Sequence, residues 1–466
     1  MSVRRRLVML AVVMASMSPL AAAAQNPGAY FEFLMARRLE GLGDHPGALA
    51  ALERAAVADP ASAEVRAEIA SFQLRRNRRT EAENAALGAL KLDRDNLEAH
   101  RVLGLLYAAN VDAMTPRTPV AQFEATARQA IEHLELVTRD PTAGIEIYFS
   151  LGRLYLRTGD ARKAVDALNK VLSQNPGSVQ GRLSLSQAYA ASGDLAEAIE
   201  TLEVIVDDEP RVASTLAQYQ EQAGQLKEAV ESYTKALAVE PTNRALKFRR
   251  IAALFNARDF QRAAALAAEA QAQHGDDLRF PRLRARALFD GGDAARALAV
   301  LEPTAKAFPR DSATQIALSD LYKDAGREAD AERTLRQLLE VEPSNAQVLN
   351  HLAYMLAQGG RQLDEAVRML ERALELDPGN GAYLDSLGWA HFKRGDLDAA
   401  EKFLSQAVAQ MPRNSEVQDH MGDLLARRGR WADAAAAWTR ALDGDGGVDR
   451  AVLEKKIADA RTRLAR

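Results

Sequence analysis

The chain has 466 residues with a formal net charge of −4 and 27% charged residues, an ordinary balance in which nothing suggests the basic excess of a nucleic-acid binder, and no nucleic-acid partner is expected. Hydrophobic residues reach 47% while aromatics are only 6%, and alanine makes up much of the difference, favouring many thin helical layers over one thick core. There is no cysteine, which excludes disulfides, thiolate metal sites, cysteine nucleophiles and the acylated cysteine of a bacterial lipoprotein.

The N-terminus reads as a leader. Arg4, Arg5 and Arg6 precede an apolar run from Leu7 to Met17, and Ala22-Ala23-Ala24 forms a small-residue end before Gln25. This is the pattern of a secretory signal peptide over residues 1–24, cleaved between Ala24 and Gln25 or else retained as an anchor. The run is too short to span a bilayer comfortably, and no later stretch reaches that length, so no stable membrane insertion is expected after cleavage. The short alanine-ended leader looks bacterial, and the expected location is the periplasm or outside the cell.

From Gln25 the sequence is periodic. Pro141, Pro176, Pro210 and Pro241 are spaced by 35, 34 and 31 residues, and Pro309, Pro343, Pro378 and Pro412 by 34, 35 and 34. Pro60 opens the series, and Arg94, Gly275 and Gly446 fill the slots without proline. A proline cannot continue a helix, so each marks a helix end. Two residues after seven of these prolines stands a residue able to cap the next helix: Ser62, Ser178, Asn243, Asp311, Asn345, Asn380 and Asn414. Mid-repeat, Gly43-Asp44, Gly159-Asp160, Gly193-Asp194, Gly292-Asp293 and Gly395-Asp396 predict a tight turn, with glycine closing one helix and aspartate capping the next.

Five residues beyond the glycine is an alanine: Ala48, Ala164, Ala198, Ala229, Ala297, Ala331, Ala400 and Ala434. Ala82, Ala263 and Ala366 hold the slot in repeats with irregular turns. Small residues (Gly104, Gly152, Ser186, Ala285, Ser319, Gly388 and Gly422) lie in the preceding helix, so the two helices are expected to approach closely. Three repeats depart from the pattern. The third carries extra residues around 110–122, with Pro116 and Pro119, and is expected to form a loop; the sixth is short before Leu216; the seventh lacks both glycine and proline. The segment 449–466 reads as a capping helix with a polar outer face.

Segments such as YFSLGRLYLRTGDARKAVDALNKVLSQNP, from Tyr148, resemble the tetratricopeptide repeat (TPR). The resemblance runs over residues 25–448, as about twelve repeats. It implies an all-α, right-handed superhelical solenoid of helix-turn-helix repeats whose first helices line a concave groove that binds other proteins. The groove positions of such repeats correspond here to Arg279, Arg282, Arg286 and Phe289, then Asn350 and Tyr354, then Asp385, Trp389 and Phe392, and finally Asp419 and Asp423. With Arg244, Lys247, Arg249 and Arg250 the middle of the groove is basic, and its C-terminal part is aromatic and acidic. The Lys/Asn/Arg clamp by which some of these proteins hold a terminal carboxylate is not visible.

Nucleotide-loop, zinc-protease and serine-hydrolase motifs are absent, and His351, His391 and His420 lack ligand-spaced partners. No catalytic residue, cofactor or metal is expected. The sequence therefore predicts a non-enzymatic periplasmic scaffold or adaptor holding a peptide or helix of a partner in its groove. The alternative is a structural subunit of an envelope assembly or export machine that uses the convex face and the insertion.

Overall fold

A computed structural model describes residues 26–464. The expected leader, residues 1–24, lies outside them. Among the described residues the chain forms 25 α-helices and a short 3-10 turn at Pro210–Val212. The only extended pairing among them is an isolated bridge between Asn414 and Asp445. The chain divides into two compact units, one ending at Thr242 and the other starting at Asn243. Each is a succession of helix hairpins. No helix among the described residues is long and apolar enough to cross a membrane.

The caps form as their residue types require. Ser62, Ser178, Asn243, Asp311, Asn345, Asn380 and Asn414 each stand at a helix N-cap and accept a hydrogen bond from the first turn, leaving fewer orphan N–H groups there. At the mid-repeat turns, Asp44, Asp160, Asp293 and Asp396 cap in the same way. Asp194 does not, because its carboxylate takes the Ser192 hydroxyl at 2.6 Å instead. Where glycine is missing from the turn, the left-handed conformation persists at a cost. Asn77 and Arg258 take φ of 57° and 61° in the second and seventh repeats, a conformation about 1–2 kcal/mol unfavourable for residues with a Cβ.

The alanine slot is the innermost position of every repeat. Ala48, Ala82, Ala164, Ala198, Ala229, Ala263, Ala297, Ala331, Ala366, Ala400 and Ala434 are all fully buried. Ala127 is equally buried in the third repeat, where the extra residues hide the spacing. The facing small residues are just as constrained. A Cβ on Gly152 would stand 2.6 Å from Leu168 Cγ, and one on Gly388 would stand 2.6 Å from Leu404 Cγ and 3.0 Å from its backbone nitrogen.

The third repeat corrects the sequence reading. Its extra residues do not form a long loop; they lengthen both helices, to Leu97–Ala113 and Val120–Val137. Only Met114 to Pro119 remains as a link, pinned by bonds between Thr115 and Thr118. Around the sixth repeat the helices Leu195–Glu203 and Ala213–Gln222 are both short, separated by turns and the 3-10 segment. The closing helix spans Arg450–Leu464 and buries Leu453, Ile457 and Ala460 beside Trp438.

Replacing Gly388 with leucine overpacks the Gly381–Arg394 and Leu397–Gln410 hairpin and lowers its stability by about 1–3 kcal/mol. Because repeat arrays unfold locally, amide exchange over 381–410 is the appropriate measurement. Unchanged protection there would mean that the close approach is not needed.

Candidate protein-binding groove

The expected groove residues fall into two clusters, both within the unit from Asn243 onward. In the first, the helices Arg244–Asn256, Arg279–Asp290 and Ser312–Asp324 surround an open cleft of about 440 Å³. Its floor is apolar, formed by Phe248, Leu283, Leu301, Ala317 and Leu321, while Arg279, Arg282, Arg286 and Asp320 line its sides. Three of the four groove positions assigned to this repeat thus come together around one cavity. Phe289 does not join them; it packs partly buried against the core.

The arginines are already partnered. Arg279 pairs with Asp277 at 2.6 Å and lies over the Phe248 ring at 5.2 Å. Arg282 reaches the cap Asp311 at 2.9 Å, and Arg286 bridges Asp290 at 2.9 Å and Asp324 at 2.7 Å. The hydrogen bond from Arg279 holds the Asp277 carboxyl below the usual carboxylate range. Nearby, Arg244 pairs with Asp276, and Lys247 bonds Gln273 and His274. Burial lowers the pKa of Arg250, whose Nε has no partner. The basic middle read from the sequence is therefore largely neutralised, and what the cleft offers is an apolar floor within a ring of oriented N–H donors.

The second cluster ties three successive first helices, Ala346–Gln358, Gly381–Arg394 and Ser415–Arg427. Trp389 is only 7% exposed and is stacked on His420 at 4.1 Å and Phe392 at 4.9 Å. His420 Nδ1 lies 3.0 Å from both carboxylate oxygens of the buried Asp385. The Tyr354 hydroxyl donates to Glu416, two repeats away, and accepts from Gln358; burial, then this bond to Glu416, raises its pKa. Asp419 and Asp423 each lie 2.7 Å from Lys456 of the closing helix. Burial holds the Asp423 carboxyl above the usual range, with Asp419 adding to it and Lys456 opposing. Two buried atoms here have no partner, Trp389 Nε1 and Asn350 Oδ1.

Trp389 and Asp385 thus frame the second cluster from within, and the tryptophan ring is not presented at the surface. Sequence reasoning missed the partners. Spacing does not show that Tyr354 bonds Glu416, and of the aspartates that hold the arginines only Asp311 has a place in the repeat pattern, as a cap. A signal was present for Arg286, since its two partners are 34 residues apart, one full repeat.

His420 gives this cluster a pH dependence. Burial disfavours its charge, but the hydrogen bond to Asp385 and the charges of Asp385, Glu416 and Asp419 outweigh burial and raise its pKa above 6.5. A raised folded-state pKa contributes stability that is fully present below the unfolded value and lost as pH rises through the folded one. Protection of Ser415–Arg427 should therefore fall on the alkaline side of the His420 titration followed by NMR, and His420→Gln should flatten that dependence. Trp389→Ala should cost about 3–5 kcal/mol locally, as expected for a buried aromatic; a loss under 1 kcal/mol in denaturation of this unit would show that the ring is dispensable.

Comparison with known proteins supports the repeat reading. Models of the tetratricopeptide repeat match residues 155–219, 288–353 and 355–427, and a second such model matches 214–277. A TPR repeat-containing protein of Pseudomonas aeruginosa is 33% identical over 141 residues, 30% of this chain and 24% of the relative. One from Methanocaldococcus jannaschii is 28% identical over 116 residues, 25% of this chain and 20% of the relative. The matched stretches thus span less than a quarter of either relative's length. The crystal structure of yeast Tom70 aligns with a TM-score of 0.47 at 14% identity, covering 94% of this chain and 96% of that one. Repeat models of one kind account for more than half of the sequence, and the chain belongs to the tetratricopeptide-repeat proteins.

Proposed function

We propose that the protein is an exported, non-enzymatic scaffold of the bacterial periplasm that holds a peptide or helical segment of a partner protein in the groove of its second unit. The observation that carries this reading is the cleft formed by Phe248, Leu283, Leu301 and Leu321 between successive first helices. An apolar floor of this size accepts one or two partner side chains, and arginine N–H groups not used by the aspartates are free to bond the partner backbone. The leader pattern of Arg4 to Ala24 supports export. The alternative, a subunit of an envelope machine, draws support from a separate cleft of about 480 Å³ along the lengthened third repeat, lined by Asn110, Met114, Thr115, Arg117 and Gln122.

Photo-crosslinking side chains placed at Leu283 and at Thr115, in the protein expressed in its own cells, separate the two. A partner captured from Leu283, and bound roughly tenfold more weakly after Leu283→Asp (about 1.4 kcal/mol), supports the scaffold reading. Capture from Thr115 alone favours the assembly subunit. Sequencing the N-terminus of the periplasmic fraction should give Gln25 first; a chain starting at Met1 would instead make it an anchored protein.

A further inference from the structure

The two ends of the array are finished differently. At the C-terminus the Arg450–Leu464 helix buries Leu453, Ile457 and Ala460 and, although Val452 and Leu464 stay about half exposed, turns Arg450, Glu454, Lys455, Asp459, Arg461 and Arg463 outward. The first helix, Pro27–Gly41, buries Ala29, Phe33 and Ala36 but leaves Phe31 61% exposed, Leu34 47% and Tyr30 37%. Its outward residues Pro27, Phe31, Leu34, Arg38 and Gly41 are all exposed and follow a 4-3-4-3 spacing, the seam by which one helix packs along another. The aromatic groups lie toward the N-terminal end of this seam. The exposed Arg38, which makes no ion pair among the described residues, lies toward the other end.

We infer that this helix is a self-association surface, pairing antiparallel with the same helix of a second copy about a twofold axis at Leu34. The order of the seam selects this occupant and this direction. In an antiparallel pair Leu34 meets the partner's Leu34, Phe31 meets the partner's Arg38 within the seam, and Tyr30 meets the partner's Arg37 along its flank, so each aromatic face receives a cation. Arg37 lies over the Phe33 ring at 5.5 Å and pairs with Glu68 at 3.0 Å, and it remains about half exposed, so its outer face is open to a second ring. A parallel pair would set Arg38 against the partner's Arg38, placing like charges together. Pro27 faces the partner's Gly41, whose missing side chain allows close approach. One helix pair of this length is smaller than a standard interface, which makes the dimer micromolar and dependent on concentration.

The protein has no cysteine, so Leu34→Cys introduces its sole thiol, on the proposed axis. Protein produced from the full-length gene should sediment as a dimer at tens of micromolar and dissociate on dilution. Under mild oxidation Leu34→Cys should form a disulfide-linked dimer, while Val57→Cys, exposed on the neighbouring helix, should not. Phe31→Glu should give a monomer at the same concentration with unchanged helix content by circular dichroism. A monomeric wild type, a dimer that survives Phe31→Glu, or equal crosslinking from Val57→Cys would each overturn the assignment.

Discussion

Everything else in this molecule depends on how closely two helices approach inside each repeat. A fully buried alanine brings the second helix close, and one turn beyond it a large side chain fills the space over a glycine of the first helix, Leu168 over Gly152 and Leu404 over Gly388, leaving no room for a Cβ there. Close approach keeps each hairpin thin. Thin hairpins allow successive first helices to lie near enough for side chains to bridge them, as Arg282 reaches Asp311 and His420 reaches Asp385. The groove clusters are therefore products of the packing rule at the alanine slot.

Electrostatics in the second unit follow from the same repetition. A capping residue is needed at the start of each first helix, and several caps and turn residues are aspartates. One of them, the cap Asp311, comes within reach of Arg282 on the preceding first helix, while Asp290 and Asp324, at helix C-termini, hold Arg286. The cleft at Phe248 and Leu283 consequently owes its character more to apolar shape and oriented donors than to net charge. The buried His420–Asp385 pair is the exception. It sits among Glu416, Asp419 and Asp423, and Lys456 from the closing helix pairs with both Asp419 and Asp423.

Local rules were legible in the sequence. The caps, the left-handed glycines and the alanine slot follow from single residue types at fixed spacing, and the structure realises them with few departures. Asp194 departs because a nearby serine hydroxyl competes for its carboxylate. The third repeat departs because proline at 116 and 119 stops a helix only where it stands, so residues before and after it were free to extend both helices. Contacts between repeats were harder to read. The position of Trp389 marked it for the groove, but its burial depends on His420 in the following repeat and Phe392 one turn along, a three-way stack that spacing does not encode. Likewise, the balance of the groove arginines depends on aspartates at a cap, in the turn before a helix and at two helix C-termini, of which only the cap Asp311 belongs to the repeat pattern.

The bond from Tyr354 to Glu416 skips a repeat. In most arrays of this kind each repeat touches only its neighbours, so stability is close to a sum of nearest-neighbour terms and the ends fray one repeat at a time. Here the tenth and twelfth repeats share a hydrogen bond while Trp389 and His420 fill the space between them. Loss of the last repeat would strip the tenth of a partner and uncover the eleventh's tryptophan. The C-terminal three repeats are thereby coupled beyond nearest neighbours, so fraying of the last one weakens the tenth as well as the eleventh.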